Sequence, residues 1–427
     1  MSILNKNIDS GGFICYNKTK KGCAAMIKRE KYLSKIIPFI DKPLIKVLTG
    51  VRRSGKTVLL SQILDYILSC GVPKERVVDM NFESFANRKY LNPDELYAYV
   101  IERSKAVSGK RLYLFFDEIQ EAEEWQKVIN SLAVDIDCDV YITGSNSNLL
   151  SGELATYIAG RYVHFTVYPF TFAEYLQLCS GENAADREAR FDDYLRFGGL
   201  PQRFILDDEQ SVRTYLDDVF NTIVIKDIIA RNKISDVELL RRLIAFLLEN
   251  VGNPFSANAI CNKLKSEGIR TTVPTLMNYI GAIKDAMVVQ AAPRYDLKGK
   301  ALLSTSEKYY ATDLGLRNNV KSSDIVDYNK LYENVVYIEM LSRGYEINVG
   351  RIGEYEVDFI CVKGRDKIYI QVAYLLADSS VVEREFRPLL AIEDNYPKYV
   401  VSGDRHDFSN NGIIHKNTIN FLLSSDL

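Results

Sequence analysis

Residues 50–57 read Gly50-Val51-Arg52-Arg53-Ser54-Gly55-Lys56-Thr57 and fit the pattern G-x-x-x-x-G-K-[ST] in full. The spacing has a physical reason. Glycines at both ends let the backbone curl until successive N–H groups face one centre, and the positive end of a following helix reinforces them. A phosphate group suits such a nest. Arg52, Arg53 and Ser54 fill the curl, Lys56 reaches toward the β- and γ-phosphates, and the Thr57 hydroxyl completes a Mg2+ shell. The flanks agree with this reading. Ile45 to Leu48 is a short apolar strand, and Leu59, Leu60, Ile63, Leu64, Ile67 and Leu68 recur at helical spacing until Cys70-Gly71.

Three further apolar runs follow: Val77-Val78 leading into Asn81-Phe82-Glu83, Leu112 to Phe116, and Val140 to Ile142. Runs apolar on both faces and separated by helical patterns predict a parallel sheet covered on both sides, the α/β class. Phe116-Asp117-Glu118 sits at the end of the second of these runs, where a Walker B pair belongs. Asp117 would hold Mg2+ and Glu118 would polarise the attacking water, as a carboxylate in reach of it does. Glu83 reads as structural. Ser145 and Asn146, after the Val140–Ile142 run, suit either a sensor-1 role toward the γ-phosphate or a plain turn. Arg161, after Ala159-Gly160, suits either an arginine finger or a surface ion pair.

Composition narrows the class. At about 150 residues per domain, 427 residues predict about three domains. The 47% hydrophobic and 26% charged content is that of a globular chain, and 54 Lys+Arg against 56 Asp+Glu excludes a wholly basic nucleic-acid coat. Stretches free of Asp, Glu, Lys and Arg reach 13 residues, as from Val140 to Gly152, where a bilayer span needs about 18 or more apolar residues. No membrane is expected as a partner. Seven scattered cysteines without a C-x-x-C pair, and three histidines, predict neither a disulfide framework nor a zinc site, and fit a cytoplasmic protein. Residues 1–25 show no periodicity and read as an N-terminal extension ahead of Met26.

Beyond the first sheet, residues 206–236 read as a helical linker or lid. A helix from Glu238 to Glu249 is followed by Ser256–Ile260 and, past Gly268, by Thr271–Leu276: two short helices across a glycine turn, the outline of a helix-turn-helix. Residues 288–294 and 302–305, split by Asp296-Leu297-Lys298-Gly299-Lys300, would form its wing. Between Arg241 and Lys300, nine basic residues stand against four acids. Such a charge suits DNA, with Lys298 and Lys300 on phosphates; packing within the chain or against another subunit is the alternative.

Val51–Thr57, Asp117-Glu118-Ile119-Gln120, Thr143–Ser147, Tyr168–Tyr175 and Phe197-Gly198-Gly199-Leu200-Pro201 together resemble prokaryotic AAA-superfamily ATPases fused to a C-terminal domain of unknown function. The resemblance spans about residues 26–405. It implies ATP binding and hydrolysis by a RecA-like core with a winged helix behind it, and is compatible with self-assembly into a homo-oligomer. The C-terminal segment in turn resembles the PD-(D/E)xK nucleases in its order: Glu333 and Glu339 on a helix, Asp358 in Glu356-Val357-Asp358-Phe359, then Gln371-Val372-Ala373. Gln371 stands where an acid is usual and Ala373 where the lysine is usual, with Lys367 nearby as a substitute. A nuclease-like centre at Glu333, Asp358 and Gln371 is therefore expected to be degenerate, while an ATP-regulated metal-dependent nuclease is the alternative. The resulting expectation is an extension at 1–25, a RecA/AAA-like P-loop domain at 26–205, a linker at 206–236, a winged helix at 237–318 and a restriction-endonuclease-like α/β domain at 319–427.

Overall fold

The computed structural model describes residues 14–18, 23–145, 160–179, 184–232, 234–320 and 326–424. The chain divides into two compact units, Met1–Tyr168 and Pro169–Leu427.

The first unit is built on a five-stranded parallel sheet. After an antiparallel pair β1 (Ile14–Lys18) and β2 (Cys23–Met26), its strands are β3 (Ile45–Thr49), β4 (Val77–Asn81), β5 (Leu112–Asp117), β6 (Cys138–Gly144) and β7 (Tyr162–Thr166), in the order β4-β5-β6-β3-β7. The pleat explains the unbroken apolar run at Leu112–Phe116. Leu112, Leu114 and Phe116 point to one face and meet Leu96, Val100, Ile129 and Leu132 of helices Pro93–Ala106 and Trp125–Asp135. Tyr113 and Phe115 point to the other and meet Leu33, Ile36, Leu59 and Ile63 of helices α1 (Glu30–Ile36) and α2 (Lys56–Ser69). Each strand residue is thus removed from water, which stabilises by roughly 25 cal/mol per Å2 of apolar surface.

Two features depart from the sequence reading. Part of the aperiodic N-terminal segment pairs as the β1–β2 hairpin, because a two-stranded ladder is made by backbone groups and needs no alternation of side chains. Strand β7 went unread because it lies at the sheet edge: Tyr162-Val163-His164-Phe165-Thr166 is nowhere fully buried and has no continuous apolar run.

The second unit carries a seven-stranded mixed sheet in the order β14-β13-β12-β11-β10-β8-β9. Its strands are β8 (Val289–Asp296), β9 (Ala301–Ala311), β10 (Glu346–Ile352), β11 (Tyr355–Lys363), β12 (Asp366–Val372), β13 (Lys398–Ser402) and β14 (Ile413–Asn417). Helices Ala257–Ser266 and Val273–Asp285, capped by Ser256 and Thr272, form the expected helix pair. The hairpin expected as a wing is β8–β9, but it does not stand alone. Strand β8 pairs in parallel with β10, Val349 opposite Arg294 and Arg351 opposite Asp296, so one sheet runs through the expected boundary at residues 318/319. The ladder groups of β8 on that side would otherwise have no backbone partner.

The expected boundary near residue 205 also falls inside this unit. Phe172, Tyr175, Phe191 and Tyr194 share a core with Tyr310, Leu314, Tyr332 and Val336. The Phe197–Pro201 motif is tied to the same core: Gly199 N–H donates to Asp313 Oδ2 at 2.7 Å, and Phe170 N–H donates to the Gly199 carbonyl at 2.8 Å.

Candidate functional site

Strand β3 ends at Thr49 and α2 begins at Lys56, and the curl between them is made by two left-handed residues, Arg53 at φ 69° and Gly55 at φ 95°. Gly50 is needed for close approach: a Cβ there would stand 2.2 Å from the Val167 carbonyl oxygen. Behind the curl lies a residue that the sequence did not mark. The buried Arg29 guanidinium donates to the Ser54 carbonyl at 3.1 Å and the Tyr168 carbonyl at 3.0 Å, fixing the loop to the end of the sheet. Ser54 Oγ is buried in the curl with no hydrogen-bond partner among the described residues. An unsatisfied buried hydroxyl suits a polar ligand.

Lys56 is buried and folds over the loop, its ammonium donating to the Gly50 and Val51 carbonyls at 3.0 and 3.3 Å and standing 3.8 Å from Glu118 Oε1. Thr57 Oγ1 donates to Asp117 Oδ2 at 2.9 Å. The sheet brings them together, since only β6 separates β5 from the P-loop strand β3 and the parallel strands end at the same edge. Asn81, paired with Asp117 across β4 and β5, donates to the same oxygen at 2.8 Å, and Thr143 Oγ1 donates to Asp117 Oδ1 at 2.5 Å. Three donors therefore converge on one carboxylate. Burial pushes the Asp117 carboxyl above the usual carboxylate range, the Thr143 and Thr57 hydrogen bonds pull it down, and the Glu118 charge adds to the rise.

Glu118 is held in the left-handed region at φ 53°, with its N–H donating to Thr143 Oγ1 at 3.0 Å and its Oε2 accepting from the Gln120 amide at 2.5 Å. Asn81, Thr143 and Gln120 fall within stretches quoted from the sequence, but no role was assigned to them there. The signal was available in the register, because Phe116 pairs with Ile142 and the next residues on both strands are Asp117 and Thr143. Arg52 pairs with Glu83 at 3.2 Å, which gives Glu83 its structural role. Ser145 is buried at the end of β6, and Asn146 lies outside the described residues.

Arg161 lies at the end of β3 away from the P-loop. Its carbonyl accepts from Ile45 N–H at the start of β3, whereas the P-loop follows Thr49 at the other end. Across a five-residue strand at about 3.3 Å per residue, that separates Arg161 from its own phosphate nest by about 15 Å. A finger role within one chain is ruled out by this geometry.

In the second unit, Glu333, Asp358 and Gln371 do converge, and they bring company. The Lys308 ammonium lies 3.4 Å from Glu333 Oε1 and 2.7 Å from Glu356 Oε1. Loss of water, then the Glu333 charge, pushes the Asp358 carboxyl well above its ordinary range. Lys308 moves the opposite way from an isolated buried lysine: burial alone would lower it, but Glu333, Asp358 and Glu356 carry it above the ordinary value. Lys263, Lys265, Arg270, Lys298 and Lys300 are exposed on the helix pair and the β8–β9 turn. Lys367, the substitute lysine considered above, pairs instead with Asp394. Glu339, the other helix acid, pairs with Arg343. No helix among the described residues is long and apolar enough to cross a membrane.

A family model described as an AAA domain matches residues 42–176, and a domain of unknown function (DUF8612) matches residues 188–325. Among solved structures, the Aeropyrum pernix ORC1 protein in complex with DNA aligns with a TM-score of 0.30 at 16% identity, over 70% of this chain and 93% of that one. AMPPCP-bound DnaA from Aquifex aeolicus aligns with a TM-score of 0.27 at 12% identity, over 60% and 86%. Neither score amounts to a shared overall fold. An uncharacterized protein of Haemophilus influenzae is 38% identical over 384 residues, 90% of this chain and 95% of that protein. The uncharacterized protein MJ1544 of Methanocaldococcus jannaschii is 30% identical over 357 residues, 80% of this chain and 77% of that protein. The chain belongs to one family with these two proteins, and within it residues 42–176 match the AAA domain.

Proposed function

We propose that the protein binds ATP with Mg2+ in the first unit and hydrolyses it, and that the second unit engages DNA. The observation that carries this reading is the hydrogen bond of 2.9 Å from Thr57 to Asp117, with Lys56 beside the same nest. A threonine and a carboxylate so joined are the two protein groups that hold Mg2+ against the phosphates in P-loop hydrolases. When bound, Mg2+ supplies charge neutralisation of the phosphate oxygens. The chain's own groups do the rest. Backbone N–H groups of residues 50–57 hold the phosphates, Lys56 exchanges its loop carbonyls and Glu118 for phosphate oxygens, and Glu118, released from Lys56, orients a water.

The DNA part of the reading is supported by charge. Five exposed basic side chains lie on the helix pair and the turn at Lys298–Lys300. The helix Val273–Asp285 itself carries only Lys284, in its last turn, so phosphate contact rather than base reading is the role that fits. A second copy of the chain is the partner that would bring Arg161 to a phosphate. Turnover per protomer that rises with protein concentration is the signature of that arrangement. The five-part division at residues 25, 205, 236 and 318 is retained only as a functional subdivision, with the winged helix and the C-terminal segment sharing one sheet.

The test is ATP turnover by the full chain and by Lys56→Ala. Turnover should vanish while the unfolding curve stays that of the wild type. Equal hydrolysis by the variant would remove the assignment.

A further inference from the structure

The outline of the C-terminal centre implies a divalent metal, and the side chains present do not fit one. Mg2+ requires about six oxygens in near-octahedral array at roughly 2.1 Å. Among the described residues no group of three or more His, Cys, Asp or Glu side chains is gathered to hold a metal ion.

Each carboxylate of the centre is already engaged. Glu333 Oε1 accepts from Tyr310 OH at 2.6 Å and faces Lys308 at 3.4 Å. Glu356 faces Lys308 at 2.7 Å through one oxygen and Arg294 at 3.6 Å through the other. Asp358 Oδ2 accepts from the Val372 N–H at 2.8 Å. Gln371, standing in the place of an acid, accepts from Asp358 N–H at 3.2 Å and donates to Glu385 at 3.0 Å. The Lys308 side chain is 5% exposed and sits among these acids. It comes from β9, a strand outside the segment in which a nuclease-like lysine is sought, and on the far side of β8 and β10 from β11 and β12.

We infer that the Lys308 ammonium is the resident cation of this centre, neutralising Glu333 and Glu356 where a nuclease of the same outline would bind Mg2+, so that the centre is metal-free and does not cleave phosphodiesters. A divalent ion placed there would meet, at contact distance, an ammonium that already neutralises two of the carboxylates. The pair has a mechanical consequence instead. It fastens β9, the outer strand of the hairpin expected as a wing, to the helix Tyr328–Arg343 through Glu333 and to β11 through Glu356. The inference concerns the second unit alone and stands or falls independently of ATP hydrolysis.

The experiment uses the full chain without nucleotide, with Mn2+ as the probe. In a Mn2+ titration followed by electron paramagnetic resonance, wild type, Glu333→Gln and Asp358→Asn should bind the same amount of ion. Lys308→Met keeps an unbranched stem of nearly the same length and removes the charge, and its melting midpoint should fall by roughly 5 °C because the partly buried Glu333 and Glu356 lose their counter-ion. Adding Glu333→Gln to Lys308→Met should recover part of that fall. A bound Mn2+ that disappears in Glu333→Gln or Asp358→Asn would overturn the inference, as would a Lys308→Met protein that melts with the wild type. If Lys308→Met does not fold, the Mn2+ comparison decides by itself.

Discussion

Thr143→Val is the substitution that probes the candidate nucleotide site most cleanly, because it keeps the shape of the side chain and deletes one oxygen. That oxygen makes two hydrogen bonds, donating to Asp117 Oδ1 at 2.5 Å and accepting from Glu118 N–H at 3.0 Å, and Thr143 is fully buried. A hydrogen bond to a charged group contributes about 1.5–3 kcal/mol, and a buried N–H left without a partner costs about 1–3 kcal/mol. After relaxation the sum is roughly 3 kcal/mol. With a urea slope of about 2 kcal/mol/M for a unit of this size, the midpoint should drop by roughly 1.5 M. The chain has a single tryptophan, Trp125, buried in a helix of the same unit, so its fluorescence reports the unit concerned. The sign of the pH dependence is also fixed. Burial already raises Asp117 above its ordinary value while Thr143 pulls it down, so losing Thr143 raises it further. A carboxyl raised in the folded state binds protons more tightly folded than unfolded, and its contribution to stability falls as pH rises above the unfolded value. The gap between wild type and variant should therefore widen from acidic to neutral pH. Turnover should drop about 10–100-fold, the usual cost of losing a group that orients a metal-binding carboxylate. Thr143→Ser, which keeps the hydroxyl, should recover most of both losses. A Thr143→Val protein that unfolds within about 0.3 M urea of the wild type and hydrolyses ATP at its rate would refute the reasoning.

Other perturbations separate the remaining parts. Glu118→Gln should keep the wild-type affinity for a fluorescent ATP analogue and lose turnover by about 100-fold or more, whereas loss of binding would assign Glu118 a structural role. Reversing Lys298 and Lys300 together to Glu should weaken duplex binding at every sequence and lower the salt slope by about 2; an unchanged slope would remove the β8–β9 turn from the interface. His415 lies in β14, buried, with Nε2 at 2.9 Å from Ser402 Oγ, and burial lowers it from 6.5. A base lowered in the folded state lends stability that is complete above its unfolded value and is lost as pH falls below 6.5. Wild-type stability should decline in that window and His415→Gln should show a flatter profile; parallel profiles would contradict the assignment.

The first sheet was legible in the sequence because its central strands are buried on both faces, and burial on both faces leaves an uninterrupted apolar run. The edge strand β7 and the β1–β2 hairpin were not, since pairing through backbone groups leaves no such trace. Unit boundaries were least legible of all. Residues 169–205 read as a continuation of the P-loop domain, yet Phe172, Tyr175 and Phe191 find their apolar partners on Leu314 and Tyr332, more than 100 residues later. Periodicity states that a face is apolar and says nothing of what covers it.

The two candidate centres show where local reading of chemistry stops. Lys56, Thr57, Asp117 and Glu118, which the structure brings together, could be picked out as candidates because a phosphate nest must be contiguous and because the carboxylates lie at one strand end, both properties of short stretches of chain. Even there the donors on Asp117 had to be read from strand register, not from spacing along the chain. The C-terminal centre was read one strand at a time, and by that method Glu333, Asp358 and Gln371 appear as a nuclease outline missing its lysine. The missing charge was present all along, but on β9, at residue 308, just past the stretch 302–305 read as a wing strand and inside the expected winged helix 237–318. A buried carboxylate needs a nearby positive charge or a proton, yet the requirement is met in space and not in sequence. An acid motif read without its counter-ion therefore predicts metal chemistry by default. Sequence search for metal centres in this family should ask first whether a lysine corresponding to Lys308 lies in the hairpin strand, 251 residues after Thr57.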